Sequence, residues 1–142
     1  FFYEKEGKRQ QVNGIAEISP EQLLVSTQEG LIMFDCKESK FVEDAFSTAM
    51  HKIIASALYR HGDIIYIGTM EDGLYSYSVT QKNLEKVTPI LDTKRIQAIL
   101  QQSPTRIWIA TEGAGLLLLN PKTKELKTYL HSSSDPKSIS SN

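Results

Sequence analysis

At 142 residues the chain has room for one ordinary domain core. Forty per cent hydrophobic and 23% charged residues are globular proportions, and no apolar run approaches the roughly 18 residues that span a bilayer, so membrane contact by this segment is not expected. A formal charge of −1 with scattered Lys and Arg gives no basic stripe for nucleic acid, and the single Cys36 excludes an internal disulfide and a Cys-rich zinc site while leaving the redox compartment open.

The N-terminus, Phe1-Phe2-Tyr3-Glu4-Lys5, has no initiator Met, no basic targeting region and no cleavage site. Phe1 to Tyr3 reads as a strand, and Glu4 to Gln11 as a polar link. From Val12 onward the chain repeats. Val12, Ile54 and Ile96 are 42 residues apart, and so are Ile15, Ala57 and Ile99. The register continues through Leu23, Ile65 and Ile107, then Leu24, Tyr66 and Trp108, then Val25, Ile67 and Ile109. It ends at Thr27, Thr69 and Thr111. A short polar turn follows each Thr and closes with Gly30-Leu31, Gly73-Leu74 or Gly115-Leu116. The first turn is one residue shorter, which a loop tolerates and a strand does not, since a slip would flip every side chain. The shifted register persists through Phe34, Tyr77 and Leu119, and then through Phe41, Leu84 and Leu126.

Each repeat reads as four short strands. In the third they are Ile96 to Gln101, Arg106 to Thr111, Gly115 to Asn120 and Glu125 to Leu130, with hairpin punctuation between them. Dense β-branched and aromatic residues, interrupted every five to eight positions, argue against helix. Ile64-Ile65-Tyr66-Ile67 and Leu116-Leu117-Leu118-Leu119 are apolar on both faces, as in a sheet stacked between two others. Four strands per repeat of about 40 to 45 residues is the period of a β-propeller blade, and closed propellers use about 4 to 8 blades. The expected fold is therefore all-β, a β-propeller fragment of about three four-stranded antiparallel blades. The expected divisions are 1–11 as the end of a preceding blade and a link, 12–53, 54–95 and 96–131 as the three blades, and 132–142 as the link to a further blade. The neighbouring blades of a longer chain are then natural partners, and open sheet edges and faces favour self-association.

The third repeat, Ile107-Trp108-Ile109-Ala110-Thr111-Glu112-Gly113-Ala114-Gly115-Leu116, is followed by Asn120-Pro121-Lys122-Thr123 and Asp135-Pro136-Lys137-Ser138-Ile139-Ser140-Ser141-Asn142. This wording resembles the two-component regulator propeller repeat. That pattern runs Leu/Ile-Trp-Ile-Gly-Thr, a Gly-rich turn, Gly-Leu, a strand ending in Asp or Asn, a basic turn and a link like Asp-Pro-Asn-Ser-Leu-Ser-Ser-Asn. The second repeat matches through Ile65-Tyr66-Ile67-Gly68-Thr69 and Gly73-Leu74-Tyr75-Ser76-Tyr77. The first departs from it, with Leu24 at the Trp position, Ser26 at the Gly position and a shortened turn. The resemblance implies the periplasmic sensor region of a hybrid two-component histidine kinase of Bacteroides-type bacteria, responding to oligosaccharides. It implies no enzymatic activity in this segment and no cofactor.

The recurring residues have structural readings. A catalytic Thr is needed once, whereas Thr27, Thr69 and Thr111 recur in every repeat, as a turn hydroxyl would. Gly30, Gly73 and Gly115 stand where strands turn. Trp108 could stack on a sugar ring, but its equivalence to Leu24 and Tyr66 favours packing between sheets. His51, His61 and His131 fall at unrelated positions, so no metal site is expected. The acidic pairs Glu43-Asp44 and Glu71-Asp72 read as solvated turns, no catalytic residue is expected, and the Ser-x-Asp-x-Gly box of sialidase-type propellers is missing. Ligand-binding candidates lie instead where the repeats differ, in the turns and links along one rim: Gln28, Glu29, Met70, Glu71, Asp72 and Glu112, with His51, Lys52, Lys94 and Arg95 from the links. Three functions are compatible with this pattern. They are a saccharide sensor, a non-binding scaffold for dimer or interdomain contacts, and a glycan hydrolase or lyase.

Overall fold

The structure, a computed structural model, describes residues 2–5, 8–42, 50–88 and 95–141. Among these residues the chain forms three antiparallel sheets. Sheet I contains β1 (Phe2–Lys5), β2 (Lys8–Ser19), β3 (Gln22–Thr27), β4 (Gly30–Asp35) and β5 (Lys40–Val42), in that spatial order. Sheet II contains β6 (Ala55–His61), β7 (Ile64–Thr69), β8 (Leu74–Ser78) and β9 (Asn83–Thr88). Sheet III contains β10 (Ile96–Ser103), β11 (Arg106–Thr111), β12 (Leu116–Leu119) and β13 (Leu126–Tyr129). Every strand pairs with its sequence neighbour, which short turns make possible without crossovers. No helix among the described residues is long and apolar enough to cross a membrane.

The expected propeller architecture is corrected by this topology. The sheets are three separate hydrogen-bonded units with no ladder between them, and they are not closed into a barrel or propeller. Nor do all three have four strands. Phe2–Lys5 pairs with Lys8–Gln11, Phe2 opposite Gln11 and Lys5 opposite Lys8, so β1 adds a fifth strand to sheet I. The polar stretch Lys8 to Gln11, expected as a link, is the first third of β2. Backbone hydrogen bonds do not require apolar side chains, so a strand at a sheet edge can be built from polar residues.

The three sheets are held together face to face. Between sheets I and II, Leu24, Leu31 and Met33 meet Ile65, Ile67 and Tyr77, with Met50, Ile53 and Ala55 filling the same core. Between sheets II and III, Tyr66, Leu74 and Val87 meet Ile107, Ile109, Leu117 and Leu119. The middle strand β7 therefore sends Ile65 and Ile67 to one neighbour and Tyr66 to the other, which is why its sequence is apolar without alternation. Each fully buried Leu or Ile contributes about 1.5–3 kcal/mol of transfer free energy. The first strands β2, β6 and β10 lie side by side. Small residues permit this approach: Ser26 donates its Oγ hydrogen to the Ala55 carbonyl at 2.7 Å, and a Cβ on Gly68 would stand 2.5 Å from Ile96 Cγ2. Arg60 adds a polar tie, its Nη1 donating to the Glu17 carbonyl at 2.8 Å across sheets I and II.

Candidate functional site

The turn after the second strand of each repeat has the same construction in all three sheets. Thr69 Oγ1 donates to the Gly73 carbonyl at 2.8 Å and accepts from the Asp72 amide at 2.8 Å. Thr111 does the same with the Gly115 carbonyl at 2.8 Å and the Ala114 amide at 3.1 Å. Thr27 donates to the Gly30 carbonyl at 2.9 Å and accepts from the Glu29 amide at 3.2 Å. All three hydroxyls are buried with both hydrogen-bonding capacities used. A nucleophile needs an adjacent base and an open approach, and these hydroxyls have neither. The closing glycines have φ of 134°, 80° and 75°, and a Cβ on Gly30 or Gly115 would meet the His51 or Tyr129 carbonyl oxygen at 1.9 and 2.3 Å.

The second and third of these turns are tied back to the residues that precede β6 and β10. The Met70 amide donates to the Ile54 carbonyl at 3.1 Å, and the Glu112 amide to the Arg95 carbonyl at 2.9 Å. The turns and the starts of the first strands thus share one edge of the molecule, where a cleft of about 460 Å³ opens. It is lined by Gln11, Val12, Asn13, Gln28, Ile54, Ala55, Ser56, Met70 and Arg95. Residues of sheets I and II form it together with Arg95, which stands just before β10.

The rim candidates divide on this geometry. Gln28, Met70 and Arg95 are brought together in the cleft. Glu112 lies beside it, its carboxylate 3.7 Å from Arg95 Nη1 with both side chains about half or more exposed. Asp72 is engaged away from it: its carboxylate receives Lys86 Nζ at 2.8 Å and the Tyr75 hydroxyl. Those hydrogen bonds, Lys86 first, hold its carboxyl below the ordinary aspartate value. Glu29 and Glu71 are exposed and do not line the cleft, and Lys52 is likewise exposed. His51 is half-buried, with its backbone carbonyl against Gly30. Lys94 and the Glu43-Asp44 pair lie outside the described residues. Cys36 is exposed.

Six lining positions, Gln11, Val12, Asn13, Ile54, Ala55 and Ser56, lie outside the candidates read from the sequence. Gln11, expected in a link, lies in β2, and its Oε1 accepts from Gln28 Nε2 at 3.3 Å. Asn13 and Ser56 stand at interruptions in the β2–β3 and β6–β7 ladders, where the register skips one residue between Val12 and Gly14 and between Ala55 and Ala57. Such a bulge re-aims a side chain that regular pleating would send elsewhere. In the first and third repeats a polar residue directly after the apolar head marks it, Asn13 after Val12 and Gln97 after Ile96, whereas in the second Ser56 follows Ile54 by two places. Ile54 and Ala55 complete the floor.

The cleft offers hydrogen-bonding groups beside apolar ones. Among the described residues its lining supplies three carboxamides, one hydroxyl and one guanidinium against an apolar wall of Val12, Ile54 and Met70, and no carboxylate or imidazole. Amide and guanidinium groups in this mixture suit a polyhydroxylated ligand with apolar ring faces. Elsewhere among the described residues no group of three His, Cys, Asp or Glu is disposed to hold a metal ion. A second hollow of about 610 Å³, lined by Arg106, Asn120, Glu125 and Lys127 among others, is built by sheet III alone. The first cleft is the stronger candidate because it unites separate elements.

Trp108 does not reach the cleft. It lies half-buried on the outer face of sheet III, its ring 5.7 Å from that of Tyr129 and its Nε1 donating to Gln102 Oε1 at 3.0 Å.

Comparison with known proteins supports the fold and places it in company. No family model matches the chain, and no curated protein matches it. Among solved structures, the extracellular domain of BT4673 from B. thetaiotaomicron, assigned both to one-component and to hybrid two-component systems, superimposes with a TM-score of 0.73 at 18% identity. The match covers 92% of this chain and 18% of that one. The extracellular domain of BT3049 from the same organism, assigned to the hybrid two-component systems, matches with a TM-score of 0.59 at 26% identity, covering 85% and 17%. The computationally designed Ika4 protein matches with a TM-score of 0.62 at 13% identity, covering 94% and 78%. The chain thus spans less than a fifth of the length of the two natural domains it resembles. It resembles extracellular domains of hybrid two-component systems in B. thetaiotaomicron.

Proposed function

We propose that this chain forms part of the periplasmic sensing region of a hybrid two-component signalling protein, and that it binds a saccharide without turning it over. The observation that carries the reading is the rim cleft. Gln28, Met70 and Arg95, singled out because the repeats differ there, converge in a single concavity with Gln11 and Asn13. Its volume of about 460 Å³ lies within the roughly 300–1,000 Å³ of small-ligand sites. The likeness to extracellular domains of two-component systems supports a sensory context. The lack of an acid–base pair among the described lining residues supports binding without hydrolysis or lysis.

Calorimetric titration of the protein with a panel of oligosaccharides, alongside chromatography of the same mixtures, tests this. Saturable binding with the glycan recovered intact is the expected result. Arg95→Ala and Gln28→Ala are each expected to weaken it at least tenfold, roughly the loss of one well-placed hydrogen bond to a charged or amide group. Product formation would replace sensing with catalysis, and absence of binding to any glycan would remove the saccharide. The alternative of a contact scaffold is favoured by the uncovered face around Trp108.

A further inference from the structure

The interface between sheets I and II is built twice in this molecule from equivalent positions. Leu24, Leu31 and Met33 of sheet I are covered by sheet II. Their second copies, Tyr66, Leu74 and Ser76, belong to the face of sheet II against which sheet III packs. The third copies, Trp108, Leu116 and Leu118, lie on sheet III, where no described sheet covers them. Leu24 and Tyr66 are 0% and 5% exposed, and Leu31 and Leu74 are both 0%, whereas Trp108, Leu116 and Leu118 are all only half-buried.

The complementary face also has a third copy. Ile65, Ile67 and Tyr77 pack on sheet I, and Ile107, Ile109 and Leu119 pack on sheet II. Their equivalents on sheet I are Leu23, Val25 and Phe34, which form a separate apolar cluster with Ile32 and Phe41 on the side away from sheet II. Val25 and Ile32 are buried within it, while Leu23, Phe34 and Phe41 remain half-buried. Phe34 and Phe41 stand edge to face at 5.1 Å. One end of the stack therefore presents the Trp108 face, and the other presents the type of face that covers it twice within the chain.

We propose that a second copy of this chain docks its Leu23–Phe34 face on the Trp108–Leu118 face, continuing the internal sheet-to-sheet interface from one molecule to the next. The two faces differ, so the contact is heterologous and head-to-tail rather than two-fold symmetric. Trp108 is its anchor, a large aromatic beside Leu118 and the Tyr129 ring.

Sedimentation of the 142-residue protein tests this through two single-face variants. The wild-type protein should exceed its monomer mass of 16.0 kDa increasingly with concentration and pass beyond two copies. Trp108→Glu and Phe34→Lys should each weaken association by about thirtyfold or more, the loss typical of a removed interface anchor. An equimolar mixture of the two should recover association but stop at a dimer of about twice the monomer mass, since each variant retains one intact face of the opposite kind. Leu23→Lys replaces Phe34→Lys should circular dichroism show that the latter is unfolded. A wild-type protein that stays monomeric at high concentration would overturn the proposal. So would a Phe34→Lys protein that still dimerises while Trp108→Glu does not, because that marks symmetric pairing of the Trp108 faces. A mixture that remains monomeric would overturn it as well.

Discussion

Replacing Thr27, Thr69 and Thr111 by Val, one at a time, separates a structural hydroxyl from a functional one. In each case the substitution keeps the side-chain shape and deletes one donor to a glycine carbonyl and one acceptor of a turn amide. A net hydrogen bond is worth about 0.5–1.5 kcal/mol, and an amide left without a partner adds to the loss, so each change should cost about 1–3 kcal/mol. Thr69→Val and Thr111→Val should cost more than Thr27→Val, because the Thr27 acceptor bond is longer at 3.2 Å and closes a shorter turn. Equilibrium unfolding in urea, followed by far-ultraviolet circular dichroism, measures all three. In a chain of this size each kcal/mol corresponds to roughly 2–4 °C in Tm. A variant as stable as wild type that abolishes glycan binding would refute the structural role of its hydroxyl. That outcome would mean the hydroxyl serves a ligand and the turn does not need it.

Gly68→Ala should destabilise by about 1–3 kcal/mol through overpacking, since the new Cβ meets Ile96 Cγ2 at 2.5 Å and Ile99 Cδ1 at 3.2 Å. Adding Ile96→Ala should then cost less than it does alone, and strict additivity in the double-mutant cycle would refute the clash. Gly115→Ala should cost more than Gly62→Ala. Both have positive φ, 75° and 59°, but only Gly115 faces a backbone oxygen, while Gly62 has nothing within 4 Å. Comparable losses of stability in chemical denaturation would contradict this. Asp63 accepts hydrogen bonds from Ser78 Oγ and from the Thr80 amide and hydroxyl, which hold its pKa below 3.8. A carboxyl with a depressed folded pKa contributes stability that is present above the unfolded value and lost as pH falls through the folded one. The Tm difference between wild type and Asp63→Asn should therefore shrink as pH falls below 3.8, and a difference constant with pH would show that the carboxylate charge is not what these bonds recognise.

Much of the local structure was legible because each repeat states it again. The four strands read in the third repeat differ from β10 to β13 by two residues at most at any boundary. One recurring device was invisible: Ser39, Lys82 and Lys124 all have positive φ at the same place in the last hairpin of each repeat, yet none is Gly or Asn. Hairpin geometry imposes the left-handed conformation there and the residue tolerates it, so composition carries no mark. A strand at Phe1 to Tyr3 was legible, but its partner was hidden for a different reason. Its pairing with the polar Lys8 to Gln11 stretch rests on backbone hydrogen bonds, which hydrophobic patterning does not record. Two of the nine cleft positions, Asn13 and Ser56, were hidden by ladder irregularities, because a bulge is a relation between two strands and not a property of one.

The error about architecture has the same origin, and Leu24, Tyr66 and Trp108 show it most clearly. The period assigns them one position, and the structure gives that position three environments: sealed by sheet II, sealed by sheet III, and open. A repeat specifies a unit and the face on which the next unit docks. Whether successive units meet again depends on the rotation accumulated at each interface. That rotation is set by the side chains between sheets, Leu24 and Met33 against Ile67 in one case and Tyr66 and Val87 against Ile109 in the other. Periodicity is blind to it, because positions rather than volumes are what recur. The same blindness makes Trp108 informative. At a position filled by Leu24 in the first repeat, the third repeat carries the chain's largest side chain, half-buried and still able to pack. That indole, packed beside Tyr129 and still half-exposed, is the side chain on which the proposed docking depends.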